Sequence, residues 1–458
     1  MKLFLERVSF VLALIMIMMG STFAKKLTLN DCIDLALKNR ASIIRAQGSE
    51  QLAKATQRSA LGAFLPNLSA SYNYSKGRET SISPPIPFAY EPSIDTFVVN
   101  GDTAKDFNPK PTGSTDSQDK GPSKSLTFSS GISIFNLPNI FSYIQAKAER
   151  EAAHLDVINS EQDLIYAVKT AYYAFLATNE NVDVQNDAVT RSEEQLKLIQ
   201  SKYDLGSAAL SDVLKQKVLF GNDKLSLLKA KNAVVTARAG LAYTIGVDPS
   251  KDYEFSTEYT THEFEGTIDD AMNFGLKHEP GFLSAQKNYQ ASKSGVRSSF
   301  TQYLPQISAF LNYNVFKGTQ AFPKVFNYSS NTVTYGFRVS LNIFDGFFRE
   351  KQLSSAKINR NNALASVSET KNLLIRDIKT AYYNIEQQKE AKNVANENVK
   401  AAQEDLNITK EKYNLGSATI LDLLNAQVSL KQAQVSFIQA DFDLNLAIAQ
   451  LENAMGKM

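Results

Sequence analysis

The sequence has no tryptophan, one cysteine and three histidines among its 458 residues. A single thiol, Cys32, leaves no partner for an internal disulfide, and a lone cysteine usually serves as a small buried apolar residue. His154, His262 and His278 lie far apart without metal-ligand spacing, so no metal site is expected. There is no glycine-rich phosphate loop and no nucleophile elbow, which leaves an enzyme, or a cofactor, without a basis. Charge of one sign is also missing: 49 Lys and Arg against 47 Asp and Glu give +2, interspersed along the chain. That excludes the clustered basic face that nucleic acid requires.

Long apolar runs are confined to the N-terminus. Lys2 and Arg7 precede an apolar stretch from Val8 to Met19, and Ser21-Thr22-Phe23-Ala24 gives a small-x-small ending. This reads as a secretory signal peptide over residues 1–24, too short for a spanning helix of about twenty apolar residues. An exported chain without such a helix must enter a membrane, if it does, by another device.

What the chain does have is repetition. Residues 202–214 and 412–424 share eight of thirteen identities at a constant offset of 210, including Asp212 and Asp422. Each reads as a corner between two long helices. Leu205-Gly206-Ser207 and Leu415-Gly416-Ser417 place a Gly where a left-handed residue ends the first helix, and a Ser as the expected N-cap of the next. The flanks repeat too, so the chain reads as a tandem duplication, 25–246 and 247–458.

Ahead of each long helix lie alternating segments. Leu68, Ala70, Tyr72 and Tyr74 alternate with Ser69, Ser71 and Asn73, predicting a strand over 67–75; the same pattern predicts strands over 125–136, 306–316 and 332–344. Segments of about ten residues with one apolar and one polar face suit membrane β-strands, although a half-buried soluble strand has the same pattern. Between the members of each pair, residues 76–124, rich in Pro, Gly, Ser, Thr and Asp, and residues 317–331 read as outer loops.

A helix is predicted over 27–62, stopped by Leu65-Pro66. Two very long ones follow the strand pairs, at 139–204 and 347–413, with return helices at 208–245 and 418–455. In the first, Val168, Phe175, Val182, Val189, Leu196 and Tyr203 recur every seven residues; in the second, Ile378, Ile385, Val399, Leu406 and Tyr413 do so, broken by Lys392. A strict seven-residue repeat implies left-handed supercoiling against neighbours.

Four strands cannot close a barrel, and an open sheet edge in lipid leaves unpaired backbone groups. The expected fold is therefore mainly α with a small β part: two tandem strand-strand-helix-helix repeats that must oligomerise to close the sheet, two copies giving a plugged eight-stranded barrel and three a twelve-stranded one with a lumen, continued by a tube of coiled-coil helices.

Taken together, the duplicated plan, the Leu-Pro before each first strand (Leu65-Pro66, Leu304-Pro305), the Tyr-x-Leu-Gly corner and the Asp that follows resemble the TolC-type outer-membrane efflux proteins. The resemblance covers the whole chain after residue 24. It implies a homotrimer in outer-membrane lipid, with a 12-stranded β-barrel in the outer membrane continued by a long α-helical coiled-coil barrel into the periplasm, which serves as exit duct for tripartite efflux or type I secretion and is gated at its periplasmic tip. It also implies partners, a periplasmic adaptor (membrane fusion) protein and an inner-membrane pump. By position, Asp212 and Tyr413 would form a closing latch between the hairpins, Asp422 and Asn425 would line an entrance ring, and the corners Leu205-Gly206-Ser207 and Leu415-Gly416-Ser417 would meet the adaptor. Two positions depart from the family: Ala418 replaces its Arg, and Asn425 replaces the second entrance acid. The alternative is a structural or adhesive coiled-coil protein of the outer membrane without transport.

Overall fold

Thr28 and Thr267 start two short helices in the same way. Each hydroxyl accepts the backbone N–H of an Asp three residues on, and that Asp accepts the Thr backbone N–H in return. In the computed structural model the described residues are 26–82, 94–99, 102–107, 115–259, 264–321 and 325–458. The signal-peptide segment 1–24 and His262 lie outside them.

In chain order the elements are α1 (Leu29–Asn39), α2 (Ala41–Gly62), β1 (Asn67–Ile82), β2 (Ile94–Val99), β3 (Asp102–Phe107), β4 (Thr115–Phe135), α3 (Leu137–Asp204), α4 (Leu210–Thr244), α5 (Ile268–His278), α6 (Pro280–Thr301), β5 (Gln306–Ala321), β6 (Val325–Ser340), α7 (Phe348–Asn414) and α8 (Ile420–Met455). The protein is thus mainly helical with a small sheet. With 68 and 67 residues, α3 and α7 are each about 100 Å long at 1.5 Å per residue.

The chain divides into two compact units. One comprises the residues up to Gln57 with Ile144–Ser294 and Ala356–Met458, and it is helical. Its apolar packing falls into three clusters. Cys32, Ala36 and Ile43 pack with Val168, Tyr172, Leu176, Leu241 and Phe442. Burial pushes the Cys32 thiol up to about 12, so it stays protonated and acts as core. A second cluster joins Ala271 and Phe282 to Leu374, Ile378 and Leu451. The third, at the corners, joins Ile199 and Val213 to Leu406, Ile420, Leu423 and Leu430.

The seven-residue pattern finds its partners here. Val168 and Phe175 are buried in the first cluster, Ile378 in the second and Leu406 in the third. Lys392, which interrupts the pattern, pairs with Asp441 of α8, and Asp441 also accepts the Tyr259 hydroxyl. A lysine holds a core-type position because a carboxylate waits opposite it.

The predicted single helix 27–62 is instead two, broken at Arg40, whose ψ of 126° is extended. No Pro or Gly causes this. Arg40 turns aside to lay its guanidinium 4.6 Å from the Tyr243 ring centre and to donate to the Tyr243 carbonyl at 3.1 Å, satisfying the end of α4.

The other unit, Arg58–Tyr143 with Gly295–Ser355, holds a four-stranded antiparallel sheet of order β1-β4-β5-β6. β1 and β6 are its edges. One face carries Leu68, Tyr72, Phe128, Leu311, Tyr335 and Phe337, all exposed. The other face carries Ser69, Ser71, Thr127, Ser129, Asn312, Asn314 and Thr334, in the register expected of period-two strands.

The strands differ from expectation at their ends. The segment 76–124, read as a loop, contributes the last residues of β1, the first ten of β4, and a separate two-stranded sheet of β2 and β3; its residues 83–93, 100–101 and 108–114 lie outside the described ones. Likewise 317–331 is largely strand, and β5 and β6 stay paired as far as Ala321 and Val325. β6 ends at Ser340 rather than at residue 344, because Ser340 faces Gln306, the first residue of β5, and no partner remains beyond it.

Candidate functional site

The two corners are built by the same backbone bonds. At the first, the Ser207 N–H donates to the Lys202 carbonyl at 2.8 Å and the Gly206 N–H to the Tyr203 carbonyl at 2.8 Å; at the second, Ser417 reaches Lys412 at 2.8 Å and Gly416 reaches Tyr413 at 3.1 Å. These paired bonds require the Gly between them to be left-handed, and Gly206 and Gly416 have φ of 74° and 76°.

Ser207 and Ser417 are not the N-caps expected of them. Their hydroxyls turn back and donate to the carbonyls of Lys202 and Lys412, at 2.9 and 3.1 Å, so they finish the helix before the corner. The cap residues of the returning helices come two positions later, and there the corners diverge. Ala209 precedes α4 and offers no side-chain bond. Thr419 precedes α8 and forms a full capping box: its Oγ1 accepts the Asp422 N–H at 3.2 Å, and Asp422 Oδ2 accepts the Thr419 N–H at 2.9 Å and its hydroxyl at 2.7 Å.

The two equivalent acids are therefore differently occupied. Asp422 is exposed, yet one of its oxygens belongs to the cap, and the Thr419 hydroxyl with its N–H holds the carboxyl below the usual carboxylate range. Among the described residues Asp212, half-buried, accepts only a long 3.4 Å bond from the neighbouring Ser211 hydroxyl. Asn425 lies three residues beyond Asp422 and is also exposed, which places both side chains on one helix face.

Tyr413 is half-buried against the corner cluster. Burial, and then the negative charge of Asp212, raise its hydroxyl above the ordinary tyrosine value. The two residues are thus within electrostatic reach, although no direct hydrogen bond joins them among the described residues. The firm contact between the corners comes from a residue that sequence reasoning passed over. Lys202 donates from Nζ to Asn414 Oδ1 at 3.1 Å and sits 4.9 Å from the centre of the Tyr413 ring. Both corners contain a Lys-Tyr pair, and only the side-chain geometry shows that the first Lys reaches the second Tyr.

About three turns along α4, Lys431 of α8 pairs with Asp223 at 2.7 Å. At the tips Leu205 and Leu415 are each 84% exposed. No group of three or more His, Cys, Asp or Glu that could hold a metal occurs among the described residues. Among those residues, too, no helix is long and apolar enough to cross a membrane.

Chains of similar sequence and structures of the same fold are known. The outer membrane efflux protein BepC of Brucella suis biovar 1 is 23% identical over 363 residues, covering 77% of this chain and 78% of that protein. The outer membrane protein TolC of Vibrio cholerae is 22% identical over 355 residues, covering 74% and 79%. Among solved structures, the outer membrane protein VceC of Vibrio cholerae superposes with a TM-score of 0.73 at 19% identity, covering 93% of this chain and 96% of that one. The Campylobacter jejuni CmeC outer membrane channel superposes at 0.75 and 17% identity, covering 94% and 85%. The family model described as outer membrane efflux protein matches residues 32–247 and 275–457, and the chain belongs to that family of the outer membrane.

Proposed function

We propose that this protein is a trimeric exit duct, the outer-membrane component of a tripartite efflux or type I secretion system, closed at the tips formed by its two helical corners. The observation that carries the reading is the sheet. Among the described residues its apolar face is exposed and both of its edges, β1 and β6, are without a partner strand. In hydrocarbon each unpaired backbone group costs several kcal/mol, which strongly favours closure with further copies. Three copies supply twelve strands, enough to leave a lumen.

The helices support side-by-side assembly. On α4, Leu214, Val218, Leu225, Leu228 and Val235 are exposed at spacings of four, seven, three and seven. Such a stripe fits the groove of a neighbouring helix pair. Two internal repeats would then each contribute one hairpin to a six-hairpin tube in the periplasm. In it, Asp422 and Asn425 of three copies would form the entrance ring, and Asp212, Tyr413 and Lys202 the latch that holds neighbouring hairpins together. The exposed Leu205 and Leu415 would offer apolar contacts to a periplasmic adaptor, and the adaptor would connect the duct to an inner-membrane pump that supplies the energy.

Native mass spectrometry of detergent-extracted protein tests the assembly. Trimers are expected, and a monomer in every detergent overturns the reading. Planar-bilayer recording should give a small, cation-selective and mostly closed conductance.

A further inference from the structure

On the polar face of the sheet, β5 carries two phenylalanines, Phe310 and, six residues further on, Phe316. Ser308, Asn312 and Asn314 of β5 turn to that side, and so does Phe310. Across the ladder Phe310 faces Gly131 on β4 and Gly336 on β6, so it stands between two positions without side chains. The Asn67 carboxamide covers Gly131, its oxygen accepting the Gly131 N–H at 2.6 Å. The ring leans the other way: a Cβ added at Gly336 would meet it at 3.4 Å. Two residues along β6, on the same side, Arg338 holds its guanidinium 5.3 Å from the ring centre.

Arg338 is the only charged residue in the stretches 67–75, 125–133, 306–316 and 330–340. Among the described residues its only partner is the Phe310 ring. A guanidinium held over a ring makes no hydrogen bond there, which leaves the donors along its N–H edge free. That edge is a fork matched to a carboxylate or sulfonate, and the ring beneath offers a surface to a flat apolar body.

We propose that Phe310 and Arg338 form a binding station for flat aromatic anions, carboxylates or sulfonates, on the water-facing side of the sheet. The proposal rests on the duct reading, in which three copies line the lumen of the closed barrel. A cation without a counter-charge in a narrow water-filled passage concentrates anions, and three at one level act as a ring. The station would have the opposite sign to the Asp422 ring.

The test is single-channel recording of the full-length protein in planar bilayers, with 1-naphthalenesulfonate, methanesulfonate and neutral naphthalenemethanol as probes. Naphthalenesulfonate is expected to block at the lowest concentration of the three. Arg338→Gln should raise its half-blocking concentration about tenfold, the scale of one lost charge-assisted contact. Phe310→Leu should remove the advantage of naphthalenesulfonate over methanesulfonate while anion block persists. An unchanged block in Arg338→Gln, or a wild-type channel that treats the three probes alike, overturns the station and leaves the duct standing. A wild-type protein that forms no channel overturns the duct and the station with it.

Discussion

The Lys431 ammonium lies 2.7 Å from Asp223 Oδ1, and Asp223 is only 3% exposed. The pair joins α4 to α8, the returning arms of the two hairpins. Removing one member of a buried pair leaves the other charge uncompensated, at about 3–5 kcal/mol, whereas replacing both by apolar groups is often neutral. Lys431→Met should therefore lower the denaturation midpoint of the detergent-solubilised protein markedly, and Lys431→Met with Asp223→Leu should recover most of the loss. If the double variant is as unstable as the single one, packing rather than charge decides at this layer.

Thr419→Ala should weaken the second corner and leave the first untouched. Loss of such a cap typically costs ~1 kcal/mol, and Ala209 has no comparable bond to lose. The effect is linked to pH because Thr419 holds the Asp422 carboxyl low. A depressed carboxyl adds stability above its unfolded pKa, and that share disappears as the pH falls through the lower folded value. The thermal midpoints of wild type and Thr419→Ala should thus differ most at pH 7, and the gap should narrow as the solution is acidified below about pH 3.9, the unfolded Asp value, leaving the share of the Asp422 N–H bond to Thr419 Oγ1. A gap that stays constant over that range would mean that the carboxylate takes no part in the cap.

The sheet was readable in the sequence where one face is apolar, as in the alternation of Leu68, Ala70 and Tyr72 with Ser69 and Ser71, and unreadable where no such face exists. In β4 the stretch Lys120-Gly121-Pro122-Ser123 has the composition of a turn, yet it lies within the strand. Both ladders of β4 shift register there: its pairing with β5 slips between Lys120 and Lys124, and β1 slips opposite, between Ser75 and Gly77. A bulge absorbs a Pro that a regular ladder cannot pair. The corners were legible down to the left-handed Gly, since only one backbone geometry ends a helix so tightly. Which side chains cross between them was not. The serines cap backwards, and Lys202 makes the contact, because these choices depend on how two hairpins pack side by side, which local sequence does not encode.

The entrance acids predict a block. In a trimer, three Asp422 carboxylates at a constriction would bind multivalent cations from the corner side. Asp422→Ala should relax that block, and Asn425→Asp, which adds a carboxylate on the same helix face, should tighten it. Half-blocking concentrations of a trivalent cobalt complex measure both. Equal values in wild type and Asp422→Ala would remove Asp422 from the entrance.

The latch makes a prediction that separates two of its members. Tyr413 is influenced by Asp212 through charge alone, while Lys202 touches both the Tyr413 ring and Asn414. If closure depends on these corner contacts, Lys202→Met should raise the mean conductance by itself, because it removes a hydrogen bond and a cation over a ring in one step. Tyr413→Phe with Asp212→Ala should raise it too, by removing the hydroxyl and the charge that acts on it while the ring still supports Lys202. Adding Lys202→Met to that pair should then give a further increase, since the contact with Asn414 is independent of the hydroxyl. Conductance unchanged in all three variants would make the corner residues packing alone and would place closure elsewhere along the helices.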